Sequence, residues 1–75
     1  MTRKDALKRL TGLAPRVDDH LERLAANPTS RDRPHWTGEI RNWIRQMEAL
    51  LPAVGGKTAE KWRARIAEWK ARLES

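Results

Sequence analysis

The sequence predicts an all-α fold, a small antiparallel bundle of three helices whose first helix is kinked or broken near Pro15. Apolar residues recur at alternating steps of three and four along three segments, which is the spacing of one helix face. Turn-forming residues separate these segments. Four tryptophans are the only Phe, Trp or Tyr residues, and they form two pairs with the same seven-residue spacing, Trp36 with Trp43 and Trp62 with Trp69.

The first helix is predicted over residues 2–26. Thr2 suits the N-cap position, and Asp5 places an acid at the positive end of the helix dipole. The apolar stripe consists of Leu7, Leu10, Ala14, Val17, Leu21 and Leu24. Pro15 removes a backbone hydrogen bond and clashes one turn back, yet the stripe keeps its phase across it. Two interpretations stay open: a kink near Gly12 and Pro15, or a full break followed by a second helix start.

The second helix is predicted over residues 34–51, after a loop at 27–34 that is rich in turn-forming residues. Pro34 suits the first helical position, Thr37 is a candidate for a later cap, and Pro52 is expected to end the helix. The apolar stripe consists of Trp36, Ile40, Trp43, Met47 and Leu50, widened by Ile44 and Leu51. A stripe this wide predicts that the second helix is the central and most buried one.

The third helix is predicted over residues 58–74, after a loop at 52–57, with Thr58 as its N-cap. Its stripe consists of Ala59, Trp62, Ile66, Trp69 and Leu73. Residues 1–75 are thus expected to form one helical domain. If the chain folds back near Pro52, certain residues of the second and third helices lie at the same height along the bundle. These pairs are Trp36 with Trp69, Ile40 with Ile66, Trp43 with Trp62, and Met47 with Ala59. Two tryptophans in one layer occupy a large volume, so we expect them to splay apart or one of them to be partly exposed.

No catalytic, cofactor-binding or metal-binding residue is predicted, and we expect the protein not to be an enzyme. The segment 55–58 has the Gly-Gly-Lys-Thr sequence of a phosphate-binding loop's end, but Leu51 replaces the first glycine and a helix precedes it. We interpret it as a turn followed by a cap. There is no cysteine, and His20 and His35 alone are too few for a structural zinc site. The acids around His20 are interpreted as solvated ion-pair material.

Charge is the property that points to a partner. Lys and Arg number 16 against 10 Asp and Glu, giving a net charge of +6 and a pI near 10.8. The candidate partner-binding residues on the third helix are Lys57, Lys61, Arg63, Arg65, Lys70 and Arg72, with Arg63 and Lys70 on one flank and Arg65 and Arg72 on the other. On the first helix they are Arg9, Arg16 and Arg23, which recur every seven residues. Intrahelical pairing such as Asp19 with Arg23 is the competing explanation.

These observations favour a small non-catalytic interaction protein, an adaptor, inhibitor or regulatory subunit that binds a protein partner through its basic helix faces. The alternative is a nucleic-acid-binding protein whose third helix contacts phosphates. A homodimer through exposed tryptophans, or through the small face of Ala64, Ala67 and Ala71, is a further option, and membrane binding is the least favoured. We expect no cofactor. Arg- and Ala-rich composition and the absence of an apolar leader indicate a cytoplasmic protein of bacterial or phage origin.

Overall fold

The computed structural model describes residues 1–74. The fold of this part of the chain is all-helical and compact. The three helices are α1 (Arg3–Ala26), α2 (Arg33–Val54) and α3 (Gly56–Glu74). The molecule measures 41 × 19 × 15 Å. Because the 24 residues of α1 span about 36 Å at 1.5 Å per residue, helix length sets the long dimension. Within residues 1–74 no helix combines the length and apolar character needed to span a bilayer.

α1 is continuous through Pro15, so the predicted alternative of a full break is wrong. Pro15 and Thr11 are both exposed, and the Thr11 carbonyl that loses its helical partner can therefore bond to water. The Thr11 hydroxyl donates to the Leu7 carbonyl at 2.8 Å, a contact of the kind that often bends a helix. The predicted N-cap is confirmed, since Thr2 Oγ1 accepts the backbone N–H of Asp5 at 3.1 Å.

The buried face of α1 differs from the predicted stripe at one position. Its buried residues are Ala6, Leu10, Ala14, Val17, Leu21 and Leu24. Ala6 is fully buried, whereas Leu7 lies at the edge of the core and is only partly buried. Small buried residues such as Ala6 and Ala14 let a neighbouring helix approach closely, and α1 and α2 do approach each other more extensively than either approaches α3.

α2 ends at Val54, three residues beyond the predicted end at Leu51. Pro52 lies exposed in the last turn, where its missing N–H removes only the bond to the Glu48 carbonyl. The N–H of Gly55 closes the final turn on the Leu51 carbonyl at 3.0 Å, and the extension buries Val54. Apolar burial at this turn thus offsets the lost hydrogen bond.

α2 begins at Arg33, and Pro34 lies in its first turn as predicted. Asp32 occupies the N-cap position without a side-chain cap bond, and Thr37 lies inside the helix instead of capping it. Trp36 N–H donates to the Asp32 carbonyl at 3.0 Å, which closes the first turn.

The connection between α2 and α3 is a single residue, Gly55, so the predicted loop over 52–57 is wrong. Gly55 and Gly56 have φ of 66° and 58°, in the left-handed region that favours glycine. Glycine adopts these dihedral angles without strain, so the connection between the two helices needs no further residues. α3 therefore begins at Gly56, and Thr58 is not its cap; the Thr58 hydroxyl instead accepts a hydrogen bond from Arg3 at 3.2 Å.

Two arginines link the ends of α1 and α2 reciprocally. Arg33, the first residue of α2, donates to the carbonyls of Leu24 and, at 3.1 Å, Asn27 at the end of α1. Arg3, the first residue of α1, donates to the Val54 carbonyl at the end of α2 at 3.2 Å. Each cation thus bonds the unpaired carbonyls at the negative end of the other helix dipole.

The tryptophans are less buried than their stripe positions predict. Trp69 is buried, at 3% exposure, with Ala59 and Ile66 on the same helix. Trp36, Trp43 and Trp62 are partly buried and pack against the core from its edge. Three of the four tryptophans are therefore partly exposed.

The predicted register between α2 and α3 is wrong. Lys70 Nζ lies 3.0 Å from Glu48 Oε2, although the prediction placed Met47 level with Ala59, eleven residues before Lys70. Trp43 makes its ring contact with His20 of α1, with centroids 4.7 Å apart in an edge-to-face arrangement. Trp43 and Trp69 thus contact side chains of α1, His20 and Asp18 respectively.

Candidate binding groove between the second and third helices

A cluster around Asp18 attaches α3 to α1. Asp18 accepts the indole N–H of Trp69 at 2.9 Å and a guanidinium N–H of Arg65 at 3.0 Å. The Arg65 guanidinium carbon lies 5.3 Å from the ring centroid of Trp62 and 5.0 Å from that of Trp69. These are cation–π distances. Arg65, a predicted partner-binding residue, is therefore already held by three side chains of its own chain.

A second polar cluster joins α1 to α2. His20, with 14% of its side chain exposed, has Nε2 3.3 Å from a Glu39 oxygen and Nδ1 3.5 Å from an Asp19 oxygen. His35 contacts the other oxygen of the Glu39 carboxylate. Nδ1 of His20 is buried without a hydrogen bond. Within residues 1–74 no group of side chains is arranged to hold a metal ion. The cluster links α1 to α2.

The predicted partner-binding cations do not form one face. Lys70 is paired with Glu48 of α2, Arg65 with Asp18 of α1, and Arg23 with Asp19 at 3.0 Å. Arg72 also has an interaction partner. The remaining candidates are exposed and have no ion pair within residues 1–74: Arg9, Arg16, Lys57, Lys61 and Arg63.

The candidate binding surface is a groove between α2 and α3. Two adjacent depressions, of about 310 and 340 Å³, lie along this pair of helices and share Glu48 and Lys70. From α2 the lining residues are Arg41, Ile44, Arg45, Glu48, Leu51 and Pro52. From α3 they are Arg63, Ile66, Ala67, Lys70, Leu73 and Glu74. We call this surface the α2–α3 groove.

The α2–α3 groove is electropositive. It carries four cations, Arg41, Arg45, Arg63 and Lys70, and two carboxylates, Glu48 and Glu74. Only Lys70 is neutralised by an ion pair; Arg41, Arg45 and Arg63 have no partner within residues 1–74. Arg41 and Arg45 were not predicted as site residues, although their four-residue spacing already put them on one flank of α2.

The half of the groove near Pro52 has an apolar floor, whereas charged side chains line most of the half near Leu73. Leu51 and Ile66 form its base and are almost fully buried, and Leu73 is half-buried at one end. Ala67 and Pro52 are exposed on its surface. A narrow apolar strip between uncompensated cations is chemically suited to binding an anionic, amphipathic surface.

No protein-family model, curated protein or solved structure that was compared with the chain matches it.

Proposed function

We propose that the chain is a non-catalytic interaction protein that binds a protein partner through the basic faces of its helices. The observation that carries this proposal is the α2–α3 groove, where an apolar floor lies between arginines that have no carboxylate partner within residues 1–74. Charge that serves solubility alone needs no apolar strip beside it. Cations bordering an apolar strip steer a partner and fix its orientation.

We also propose that α1, α2 and α3 alternate in direction as an antiparallel bundle and that α1 is bent near Pro15. The contact of Arg33 with the Leu24 carbonyl joins the start of α2 to the end of α1. The contact of Arg3 with the Val54 carbonyl joins the start of α1 to the end of α2. Both contacts support opposite directions for these two helices, and the one-residue connection at Gly55 favours reversal between α2 and α3.

The competing function is nucleic-acid binding, and a specific observation favours it. Lys57, Lys61 and Arg63 are exposed in the first half of α3 and have no ion pair within residues 1–74. Against it, Arg65 and Lys70 are already held by carboxylates, so the continuous line of phosphate contacts that α3 would need is interrupted. We therefore rank protein binding first.

The test compares two triple variants that each remove three unpaired charges. One variant carries Arg41→Gln, Arg45→Gln and Arg63→Gln in the groove; the matched control carries Arg9→Gln, Arg16→Gln and Lys57→Gln elsewhere. Arg65 is left alone because its removal would disturb the attachment of α3. Tagged protein is incubated with nuclease-treated lysate of its source cell, the retained protein is identified and purified, and its affinity for both variants is measured.

We expect a protein that survives nuclease treatment, binds stoichiometrically when purified, and loses affinity with the groove variant more than with the control. The purified chain is also titrated with double-stranded DNA and single-stranded RNA across a range of salt concentrations. Two results together would reject the proposal in favour of nucleic-acid binding. The first is that nuclease treatment removes all retained protein. The second is that nucleic-acid affinity falls by about one log unit per log unit of salt for each phosphate contact.

A further inference from the structure

Resting on the proposed function, we infer that the α2–α3 groove binds an acidic amphipathic α-helix presented by the protein partner. The lining residues of α2 extend from Arg41 to Pro52, about 17 Å at 1.5 Å per residue. The groove therefore accommodates roughly three turns of a helix. This length is enough for one apolar stripe of three or four side chains to lie on the floor.

The shape of the groove favours a helix over an extended peptide. Apart from the Glu48 carbonyl that Pro52 leaves unpaired, α2 and α3 use their own backbone groups for internal hydrogen bonds along the groove, so an extended strand would find no ladder of main-chain partners there. A helix needs only side-chain packing, and a helix laid between two others forms the arrangement found in four-helix bundles. Ala67, exposed on the floor, has a side chain small enough to let the incoming backbone approach closely.

The charges of the groove favour an acidic occupant. Arg41 and Arg45 border the end of the groove near Leu73, and Arg63 borders the other end near Pro52. A carboxylate on each flank of the incoming helix would meet an unpaired guanidinium, which supports bidentate hydrogen bonds. At the middle of the groove Lys70 is already paired with Glu48, so the strongest new contacts are expected at the two ends.

Two other occupants fit these charges less well. A second copy of the chain bound through the same groove in a two-fold dimer would place like cations opposite one another. A nucleic-acid backbone would bring its phosphates beside Glu48 and Glu74, which line the groove together with the arginines. A helix can confine its carboxylates to positions opposite Arg41, Arg45 and Arg63 and place apolar side chains elsewhere, whereas a nucleic-acid backbone carries a phosphate at every step.

The first arm of the test uses a defined probe with the full-length protein. The probe is a helix-stabilised peptide of about 14 residues, roughly 21 Å long, with a Leu and Ala stripe flanked by Glu. The control peptide has every Glu replaced by Lys. Binding is measured by calorimetry and by backbone amide shifts in NMR. We expect saturable binding of the acidic peptide only, weakened by added salt, with the largest shifts around Arg45, Arg63 and Ala67.

The second arm uses a matched pair of substitutions on α3. Ala67 lies in the groove, whereas Ala64 is exposed on the same helix and does not line it. Because Ala and Glu are both good helix formers, Ala67→Glu and Ala64→Glu should both stay folded, as circular dichroism will check. We expect Ala67→Glu to weaken binding of the acidic peptide about tenfold or more, and Ala64→Glu to change it less than about twofold.

Failure of this inference is distinguishable from failure of the proposed function. Absence of acidic-peptide binding, or equal effects of the two Glu variants, rejects the acidic-helix site. If the natural protein partner is still bound by both Glu variants, the interaction function stands and another surface carries it. If light scattering shows a dimer that Ala67→Glu dissociates, a second copy of the chain occupies the groove. If nucleic acid shifts only the backbone amide signals of the groove residues, the groove binds phosphates. Either result rejects the inference.

Discussion

The carboxylate of Asp18 accepts the indole N–H of Trp69 at 2.9 Å, and this bond joins α1 to the most deeply buried tryptophan of the chain. The same carboxylate binds Arg65, which stacks near the rings of Trp62 and Trp69. An acid on α1 thus organises the polar and aromatic side chains by which α3 is attached. α3 makes fewer close backbone approaches than α1 and α2 make to each other, so this cluster is expected to contribute a large share of its attachment.

Replacement of Asp18 tests how much its cluster contributes to the attachment of α3. Asp18→Ala leaves the indole N–H of a buried Trp69 without an acceptor, and we expect a loss of about 1–3 kcal/mol in the free energy of unfolding. The control is Asp19→Ala, which removes an exposed pair with Arg23 and the 3.5 Å contact with His20 Nδ1, and should cost less than about 1 kcal/mol. Urea denaturation followed by tryptophan fluorescence gives both values. Equal losses would mean that the bond to Trp69 contributes little.

The tryptophans should differ in their contributions to stability. Trp69→Ala is expected to cost about 3–5 kcal/mol, the range of large buried aromatics, because Trp69 is 3% exposed. Trp36→Ala and Trp62→Ala remove partly exposed rings and should each cost less. Circular dichroism melts of the three variants at equal concentration provide the comparison. A Trp62 variant as unstable as the Trp69 variant would contradict the burial pattern.

Pro15→Ala should stabilise the protein. The substitution restores a backbone N–H that can bond the Thr11 carbonyl and removes the ring from the helix interior, and we expect a gain of about 1 kcal/mol. Pro52→Ala is the comparison, since Pro52 lies in the last turn of α2, where less helix follows it. Chemical denaturation of both variants measures the effects. A loss of stability in Pro15→Ala would establish that packing depends on a bend at this position.

The reciprocal arginine contacts predict a position-specific effect of removing charge. Arg33→Gln removes hydrogen bonds to the last carbonyls of α1, and we expect a loss of about 1 kcal/mol in the free energy of unfolding. Arg31→Gln, two residues earlier, changes the net charge equally, but Arg31 is exposed and has no partner within residues 1–74. It should change stability by less than about 0.5 kcal/mol. Indistinguishable melting curves for the two variants would mean that the hydrogen bonds of Arg33 to the end of α1 contribute little to stability.

The glycines offer a pair of substitutions with opposite expected signs. A methyl group at either Gly12 or Gly55 meets no atom within 4 Å, so neither alanine variant creates a clash. Gly55 has φ of 66°, and Gly55→Ala should cost about 1–2 kcal/mol through backbone strain alone. Gly12 lies inside α1, and Gly12→Ala should stabilise by about 0.5–1 kcal/mol. We expect the denaturant midpoint of Gly55→Ala to lie below that of the parent protein and the midpoint of Gly12→Ala to lie above it.

Helix number and the faces that enter the core could be predicted from the sequence, because both follow from local spacing. The bounds of α1 agree with the prediction to within one residue, and five of its six predicted stripe residues are buried. The extension of α2 past Pro52 was missed because a proline was expected to end the helix, whereas the buried Val54 favours one more turn. A proline near a helix end is compatible with either outcome, and tertiary burial decides between them.

The register and the site depend on contacts between distant parts of the chain, which spacing alone does not encode. The bond of Asp18 to Trp69 and the bond of Arg33 to the Leu24 carbonyl connect different helices, and both involve polar groups that the apolar pattern ignores. Arg63 and Lys70 were predicted as candidates, and both line the groove. Arg41 and Arg45 were missed because α2 was treated as a buried central helix, although its outer flank borders the groove.

The one-residue connection at Gly55 determines where the chain can be lengthened. A residue inserted there would change the backbone dihedral angles that set how α3 leaves α2, and so would alter the position of Arg63 and Ala67 relative to α2. The segment between α1 and α2 has no such restriction, because Pro28 and Thr29 are exposed and the helices on either side are tied together by Arg33. A fluorophore or a fused reporter domain inserted between Pro28 and Thr29 would therefore leave the rotational setting of α3 unchanged.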